Sequence, residues 1–133
     1  MKKKLGLFAV LIMLFSFISC VGQGVRQAEQ PEQVVEEFNR CLPTRADPVT
    51  TLEKITRNGS VLTYHYVVDL EASEIPKEEW QRTVNERTES ACDNGNRKYF
   101  TVMFKVFDCI YYDFRDKDGD ILAFTRLDKK TCN

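Results

Sequence analysis

His65 is the only histidine in this 133-residue chain and the side chain best suited to general acid–base catalysis near neutral pH. No nucleophile motif accompanies it, since the sequence has no GxSxG, HExxH, phosphate-binding loop or dinucleotide-binding pattern. His65 also lies in a segment with apolar residues at alternate positions, where it falls among the polar ones. We therefore expect it on the solvent side of a strand, in a protein that is not an enzyme and needs no cofactor.

The acidic segment Asp113–Asp120 has the composition of a calcium-binding loop. Aligning Gly119 with the loop glycine places Phe114 at the first ligand position and Thr125 where a bidentate glutamate is needed. Two strong ligands are therefore missing, and residues 117–119 predict a plain hairpin turn instead. Zinc is not expected either, because the cysteines are not spaced as ligand pairs, so we predict no bound metal.

The chain contains five cysteines: Cys20, Cys41, Cys92, Cys109 and Cys132. The first closes an N-terminal apolar segment, and processing there would remove it from the thiol pool. An even set of four in a short exported domain predicts two disulfides, for which three pairings are possible.

Residues 1–19 have the pattern of an export signal. Three lysines precede the apolar run Leu5–Ile18, which is shorter than the roughly twenty residues that a membrane span needs. Residues 20–30 are small and polar and predict a tether, and residues 31–133 predict one domain. Removing the three signal lysines changes the formal net charge from -1 to -4, which gives no electrostatic footprint for nucleic acid.

The end of this signal, Phe17-Ile18-Ser19-Cys20, resembles the lipobox of bacterial lipoproteins, although Phe17 stands where that pattern usually has leucine. The resemblance implies that Cys20 is acylated and anchors the protein to a membrane. Ordinary signal cleavage after Gly24 is the alternative, and it would give a soluble secreted or periplasmic protein.

Hydrophobic periodicity in the mature chain predicts the order α-β-β-α-β-β. Pro31 opens the first helix, Asn58-Gly59 predicts the first hairpin turn, and Pro76 precedes the second helix. The fold class is therefore α+β, with an antiparallel sheet of about four strands in two hairpins and helices packed on one face. The predicted elements are a helix from 31 to about 42, strands at 51–57 and 61–70, a helix at 77–94, a short helix or irregular bridge near 97–105, and strands at 108–115 and 121–127.

Residues 39–132 resemble a pattern found in small exported bacterial proteins of unknown function. The resemblance implies an α+β domain with a helix-to-tail disulfide between Cys92 and Cys132, and it leaves Cys41 and Cys109 as the second pair. It implies no activity. Its elements here are Asn39 with Pro43, Asp47 with Thr51 and Leu52, Tyr64-x-Tyr66, Cys92, Tyr112-x-Phe114 with Asp116 and Gly119, and Cys132.

Together these features predict a non-catalytic binding or interaction module in the bacterial cell envelope, anchored by its lipid and bound to an envelope protein. Two alternatives remain open. An uncharacterised hydrolase would require a deep pocket with a perturbed acid or base. A carrier of a small apolar ligand would use strand aromatics that otherwise pack in the core, namely Tyr64, Tyr66, Phe107, Tyr111, Tyr112 and Phe114.

Overall fold

The computed structural model describes residues 30–93 and 97–131. The predicted signal, the tether as far as residue 29, and Cys132 lie outside the described residues, so lipidation of Cys20 stays a prediction. The described elements are α1 (Pro31–Arg40), β1 (Thr44–Asp47), β2 (Thr50–Asn58), β3 (Val61–Val68), a single 3-10 turn (Lys77–Glu79), α2 (Trp80–Glu89), α3 (Arg97–Val106), β4 (Cys109–Asp116) and β5 (Ile121–Asp128).

The five strands form one mixed sheet in the order β1-β2-β3-β4-β5. All neighbours are antiparallel except β3 and β4, which run parallel with Val61 opposite Cys109 and Val68 opposite Asp116. The predicted α+β class is confirmed, but the predicted antiparallel sheet of two hairpins is wrong. The reason is the connection: α2 and α3 carry the chain back to the end where β3 begins, so β4 starts there and runs in the same direction.

The sequence prediction also missed strand β1. Its residues, Thr-Arg-Ala-Asp, show no apolar alternation and follow directly on Pro43, so they lack the usual strand signals. The strand forms because Asp47 fixes the turn that follows: its Oδ1 accepts the backbone N–H groups of Val49 and Thr50, each at 2.7 Å. A short, polar strand of this kind is typical of a sheet edge.

The helix predicted at 77–94 is shorter than expected and has two parts. Lys77–Glu79 form the 3-10 turn, and α2 then ends at Glu89 with Ser90 as its C-cap. Thr88 and Ser90 are weak helix formers, and the Thr88 hydroxyl bonds back to the carbonyl of Val84. The ambiguous segment near 97–105 is the full helix α3.

Both predicted hairpin turns are present. Gly59, between β2 and β3, has φ +60°, and Gly119, between β4 and β5, has φ +91°. These left-handed conformations are strained for any residue with a Cβ, which explains glycine at both turns.

The core lies between one sheet face and the three helices. Leu62, Tyr64, Tyr66 and Val68 of β3 are buried as the alternation predicted, and Trp80 of α2 is completely buried with its Nε1 donating to the Ile75 carbonyl at 3.2 Å. Tyr66 stacks on Phe114 at 4.6 Å between ring centroids. Five of the six aromatic residues that a carrier would use are therefore core residues: Tyr64, Tyr66, Phe107, Tyr112 and Phe114.

The disulfide prediction needs one correction. Cys109 is a free, buried thiol at the start of β4, so the predicted bridge from Cys41 to Cys109 is wrong. Cys109 lies opposite Val61 of the parallel strand β3 and is 7% exposed. Cys41 and Cys92 are each disulfide-bonded. The pairing of Cys92 with Cys132 stays a prediction because Cys132 lies outside the described residues.

Candidate interaction surface

The face of the sheet opposite the core carries the residues that could meet a partner, and we call it the open face. Strand register and burial define it, because the buried side chains of all three described helices join the core cluster on the other side. Its members are Thr51, Lys54, Thr56, Thr63, His65, Val67, Tyr111, Asp113, Arg115, Ile121, Phe124 and Arg126.

A hydrogen-bonded chain of polar side chains crosses three strands of the open face. The Thr56 hydroxyl lies 2.7 Å from His65 Nε2, and His65 Nδ1 lies 3.4 Å from Asp113 Oδ2. Arg115 Nε donates to both Asp113 oxygens, at 3.1 and 3.3 Å. Asp113 is only 6% exposed, so this open-face carboxylate is enclosed by its own neighbours.

Burial lowers the pKa of His65 below its usual value, and the positive charges of Lys54 and Arg115 act in the same direction. Asp113 opposes the change but does not overcome it. His65 is therefore neutral near pH 7. With Nδ1–H directed at Asp113, its Nε2 accepts the hydroxyl hydrogen of Thr56.

A hydroxyl, an imidazole and a carboxylate in line is also the arrangement of acyl-transfer enzymes. Such enzymes need backbone N–H groups aimed at a developing oxyanion and a site that encloses the substrate. Here the three groups lie on neighbouring strands, and the N–H groups of β3 are engaged by β2 and β4 on its two sides. The network therefore acts as a cross-strand polar connection. The expectation that His65 lies on the solvent side of its strand is confirmed, although His65 is only partly exposed.

An apolar ridge on the open face is formed by Ile121 and Phe124 of β5 and by Tyr111 of β4. Ile121 is 58% exposed and Phe124 is 45% exposed. Tyr111, from the neighbouring strand β4, supports Phe124 by an edge-to-face contact at 5.0 Å between ring centroids. An irregularity in the β4–β5 register places Ile121 opposite Arg115 and Phe124 opposite Asp113, so both apolar side chains project from the same face.

A helical amide side chain pairs with the backbone of the edge strand β5, and another pairs with the part of β2 that extends past the other edge strand, β1. At the β5 edge, Gln81 Nε2 donates to the Phe124 carbonyl at 2.8 Å, and Gln81 Oε1 accepts the Phe124 N–H at 2.9 Å. At the other edge, where β2 extends past β1, Asn39 Nδ2 donates to the Ile55 carbonyl at 3.0 Å, and Asn39 Oδ1 accepts the Ile55 N–H at 3.2 Å. A primary amide carries the same donor and acceptor as a peptide group, so each amide side chain pairs with the strand backbone as one residue of a further strand would.

The segment that resembled a calcium loop is a turn held by its own backbone. Asp116 Oδ1 accepts the N–H groups of Asp118 and Asp120, each at 2.9 Å. Lys77 Nζ lies 3.7 Å from Asp120 Oδ2, and Lys117 Nζ lies 3.2 Å from Asp69 Oδ2. Within residues 30–93 and 97–131, no group of three or more potential ligands could hold a metal ion.

Buried tyrosines occupy the core where an apolar ligand would have to sit. The hydroxyl groups of Tyr64 and Tyr99 are hydrogen-bonded to each other. Desolvation raises the pKa values of Tyr64, Tyr66, Tyr99 and Tyr112 above the usual value for tyrosine, so these side chains stay neutral. A closed and filled interior of this kind does not favour the carrier hypothesis.

Sequence reasoning missed three residues of this surface and its edges. Asp113 shares strand parity with Tyr111 and Arg115, so its place on the open face could have been read from the alternation. Asn39 and Gln81 carried no such signal, because a helical amide is ordinarily a solvated residue and only the docking of the helix brings it to a strand.

The fold is similar to that of a secreted protein and to those of two type II secretion system pilotins. A secreted protein from Pseudomonas aeruginosa is 17% identical, with a TM-score of 0.59, and the match covers 90% of this chain and 97% of that one. The type II secretion system pilotin AspS from Vibrio cholerae is 14% identical, with a TM-score of 0.56 and coverage of 90% and 98%. The type 2 secretion system pilotin EpsS from Vibrio vulnificus is 8% identical, with a TM-score of 0.57 and coverage of 86% and 93%.

At these identities the similarity shows a shared fold. No protein-family model and no curated protein matches the sequence. Among the described helices, none combines the length and the apolarity that crossing a membrane requires.

Proposed function

We propose that this chain is a non-catalytic interaction module of the bacterial cell envelope that binds a protein partner through its open face. The observation that carries the proposal is the apolar ridge, because the two large hydrophobic side chains most exposed among the described residues, Ile121 and Phe124, project together from a sheet face that no described helix covers. Exposed apolar side chains grouped in this way are typical of interaction sites.

The fold similarity supports the same proposal. Two of the solved structures with this fold are pilotins of type II secretion systems, and the alignments span nearly their whole chains. We infer that this chain acts in a similar role, as a lipoprotein that escorts or holds a component of a secretion machine.

Photocrosslinking in intact cells tests the binding surface. A photoreactive amino acid at Phe124 should give a crosslink to a protein, whereas the same amino acid at Lys98, an exposed position on α3, should not. Both positions are exposed, so the comparison holds accessibility constant. A chain that crosslinks to no protein from Phe124, or equally from both positions, is not a module of this kind.

Envelope attachment rests on Cys20 and needs its own test. We expect the parent protein to partition with membranes, and Cys20→Ala to be unprocessed or soluble, because the acylated cysteine supplies the anchor. Mass spectrometry of the mature N-terminus decides between the two cleavages: an acylated Cys20 supports the proposal, and an unmodified peptide beginning at Val25 contradicts it.

We also propose that Cys92 is bonded to Cys132. Cys92 is disulfide-bonded and nearly fully buried shortly after α2, and Cys132 follows the polar residues Lys129, Lys130 and Thr131 after β5. A polar segment of this kind has little apolar surface to hold it, and a disulfide of this span contributes about 2–4 kcal/mol. Non-reducing peptide mapping should recover a peptide pair containing both cysteines, and a pair joining Cys92 to Cys41 would refute the assignment.

A further inference from the structure

We propose that the partner segment recognised by the open face is an acidic amphipathic helix. This inference rests on the proposed function, since it names the chemistry of the partner that the module binds. Three features of the structure carry it: the amide side chains paired with the backbone of β5 and β2, the apolar ridge, and the distribution of charge around that ridge.

Two amide side chains oppose strand addition at β5 and at the part of β2 beyond β1, and the apolar ridge lies on the sheet face, where an added strand at the short β1 edge would not cover it. Strand addition needs free N–H and C=O groups along a sheet edge. Gln81 occupies both groups of Phe124 in the middle of β5, and Asn39 occupies both groups of Ile55 on β2. A helix satisfies its own backbone groups and can therefore bind a sheet face through side chains alone.

The ridge defines where the apolar stripe of such a helix would lie. Ile121 and Phe124 stand on one strand, and Tyr111 extends the apolar surface onto β4. Exposed aromatic and aliphatic side chains of this type provide the buried centre of an interface. The polar half of the open face, with Thr56, Thr63 and His65, lies beside this centre.

The charges around the ridge favour a partner with carboxylates. Arg115 and Arg126 flank the ridge with exposed side chains, whereas the nearby carboxylate side chains of Asp113 and Asp128, 9% and 25% exposed, are already paired with these arginines. Arg115 Nη1 also donates to the Gly119 carbonyl at 3.2 Å, and a guanidinium with five N–H donors can bind a further carboxylate beside these contacts.

The rest of the open face follows the same tendency. Lys54 and Arg45 are exposed on its β1–β2 half, and Glu53, at the β2 irregularity, is the exposed carboxylate there. Among the described residues, this face therefore carries four cations, Arg45, Lys54, Arg115 and Arg126, against three carboxylates, Glu53, Asp113 and Asp128, on a domain that is acidic as a whole. An anionic membrane is a poorer fit, because membrane-binding segments cluster about four to eight lysines or arginines, whereas these cations are spread across strands.

Two synthetic helices of matched length and helicity test the inference. Each carries the same leucine stripe, flanked by glutamates in one peptide and by lysines in the other. The whole protein should bind the glutamate peptide at least about tenfold more tightly, a difference of roughly 1.4 kcal/mol. Phe124→Ala should weaken binding of both peptides. Arg126→Glu should reverse the preference, and Lys98→Glu, the same charge change away from the open face, should not.

Equal binding of the two peptides, or a preference that Arg126→Glu does not change, would overturn the proposal. Anionic vesicles that bind more tightly than the glutamate peptide and depend on Phe124 would overturn it in favour of a lipid surface. Self-association lost in Phe124→Ala would overturn it in favour of a second copy of the chain. A protein crosslink from Phe124 without a preference for the glutamate peptide would leave the interaction module intact and refute only the acidic helix.

Discussion

Replacing Asn39 with alanine should cost more stability than an exposed polar residue normally does. The substitution removes two hydrogen bonds to the backbone of Ile55, at 3.0 and 3.2 Å, and Ile55 is a buried residue. Each bond contributes about 1 kcal/mol net, and each backbone group left unpaired away from water costs about 1–3 kcal/mol. Alanine is a better helix former than asparagine by roughly 0.6 kcal/mol, which offsets part of the loss.

The expected net change for Asn39→Ala is therefore a loss of about 1.5–3 kcal/mol, or at least about 6 °C in melting temperature for a domain of this size. Asn39→Asp keeps the acceptor for the Ile55 N–H and loses the donor to its carbonyl, so it should fall between parent and alanine. Lys98→Ala is the control, because Lys98 is an exposed residue of α3, away from the open face.

Chemical denaturation followed by circular dichroism, with the disulfides intact, gives these free energies. Amide hydrogen exchange adds a local readout, since the Ile55 N–H should lose protection in Asn39→Ala. A loss below about 0.5 kcal/mol, within the range of ordinary surface substitutions, would refute the claim that this amide pairs with the β2 backbone at Ile55.

Three further predictions follow from the open face and its surroundings. Gln81→Ala should cost only about 0.5–1 kcal/mol, because water can reach the exposed backbone of Phe124, yet exchange of the Phe124 amide should accelerate; unchanged exchange would show that Gln81 does not protect this edge. The pKa of His65 is lowered in the folded state, so the unfolded chain binds the proton first and stability should fall as the pH drops below about 6.5. In denaturation curves measured between pH 7 and 5, His65→Gln should flatten this dependence of stability on pH. An identical slope in the variant would contradict the reasoning. Cys109 should resist Ellman's reagent in the native protein and react after unfolding without reductant, and Cys109→Ala should remove that thiol; rapid reaction in the folded state would contradict its burial.

The local elements of the fold followed from the sequence because their causes are local. The Asn58-Gly59 turn with its positive φ, the start of α1 at Pro31, and the alternation of β3 each depend on residues close together in the chain. The same reasoning correctly placed His65 away from the core. The same reasoning could not predict which strands pair or in what register, because that depends on segments far apart in the chain.

The parallel pairing of β3 with β4 was decided by the tertiary structure. Antiparallel pairing was the simpler expectation for two hairpins, but a crossing of α2 and α3 returns the chain to the starting end of β3. The free thiol at Cys109 has the same origin, because the pairing of cysteines depends on which strand ends and helix ends meet in space. The sequence shows the number of cysteines but not the distances between them in the folded protein.

The interaction surface shows the same division. The sequence by itself determined that the domain is small, acidic, rich in cysteine and without catalytic motifs, since composition and short motifs carry that information. Only the tertiary structure decided that Ile121 and Phe124 project from one face, that Asp113 is enclosed, and that Asn39 and Gln81 pair with the backbone of β2 and β5. Each of these depends on side chains from elements far apart in the chain, and such contacts exist only after the helices have packed against the sheet.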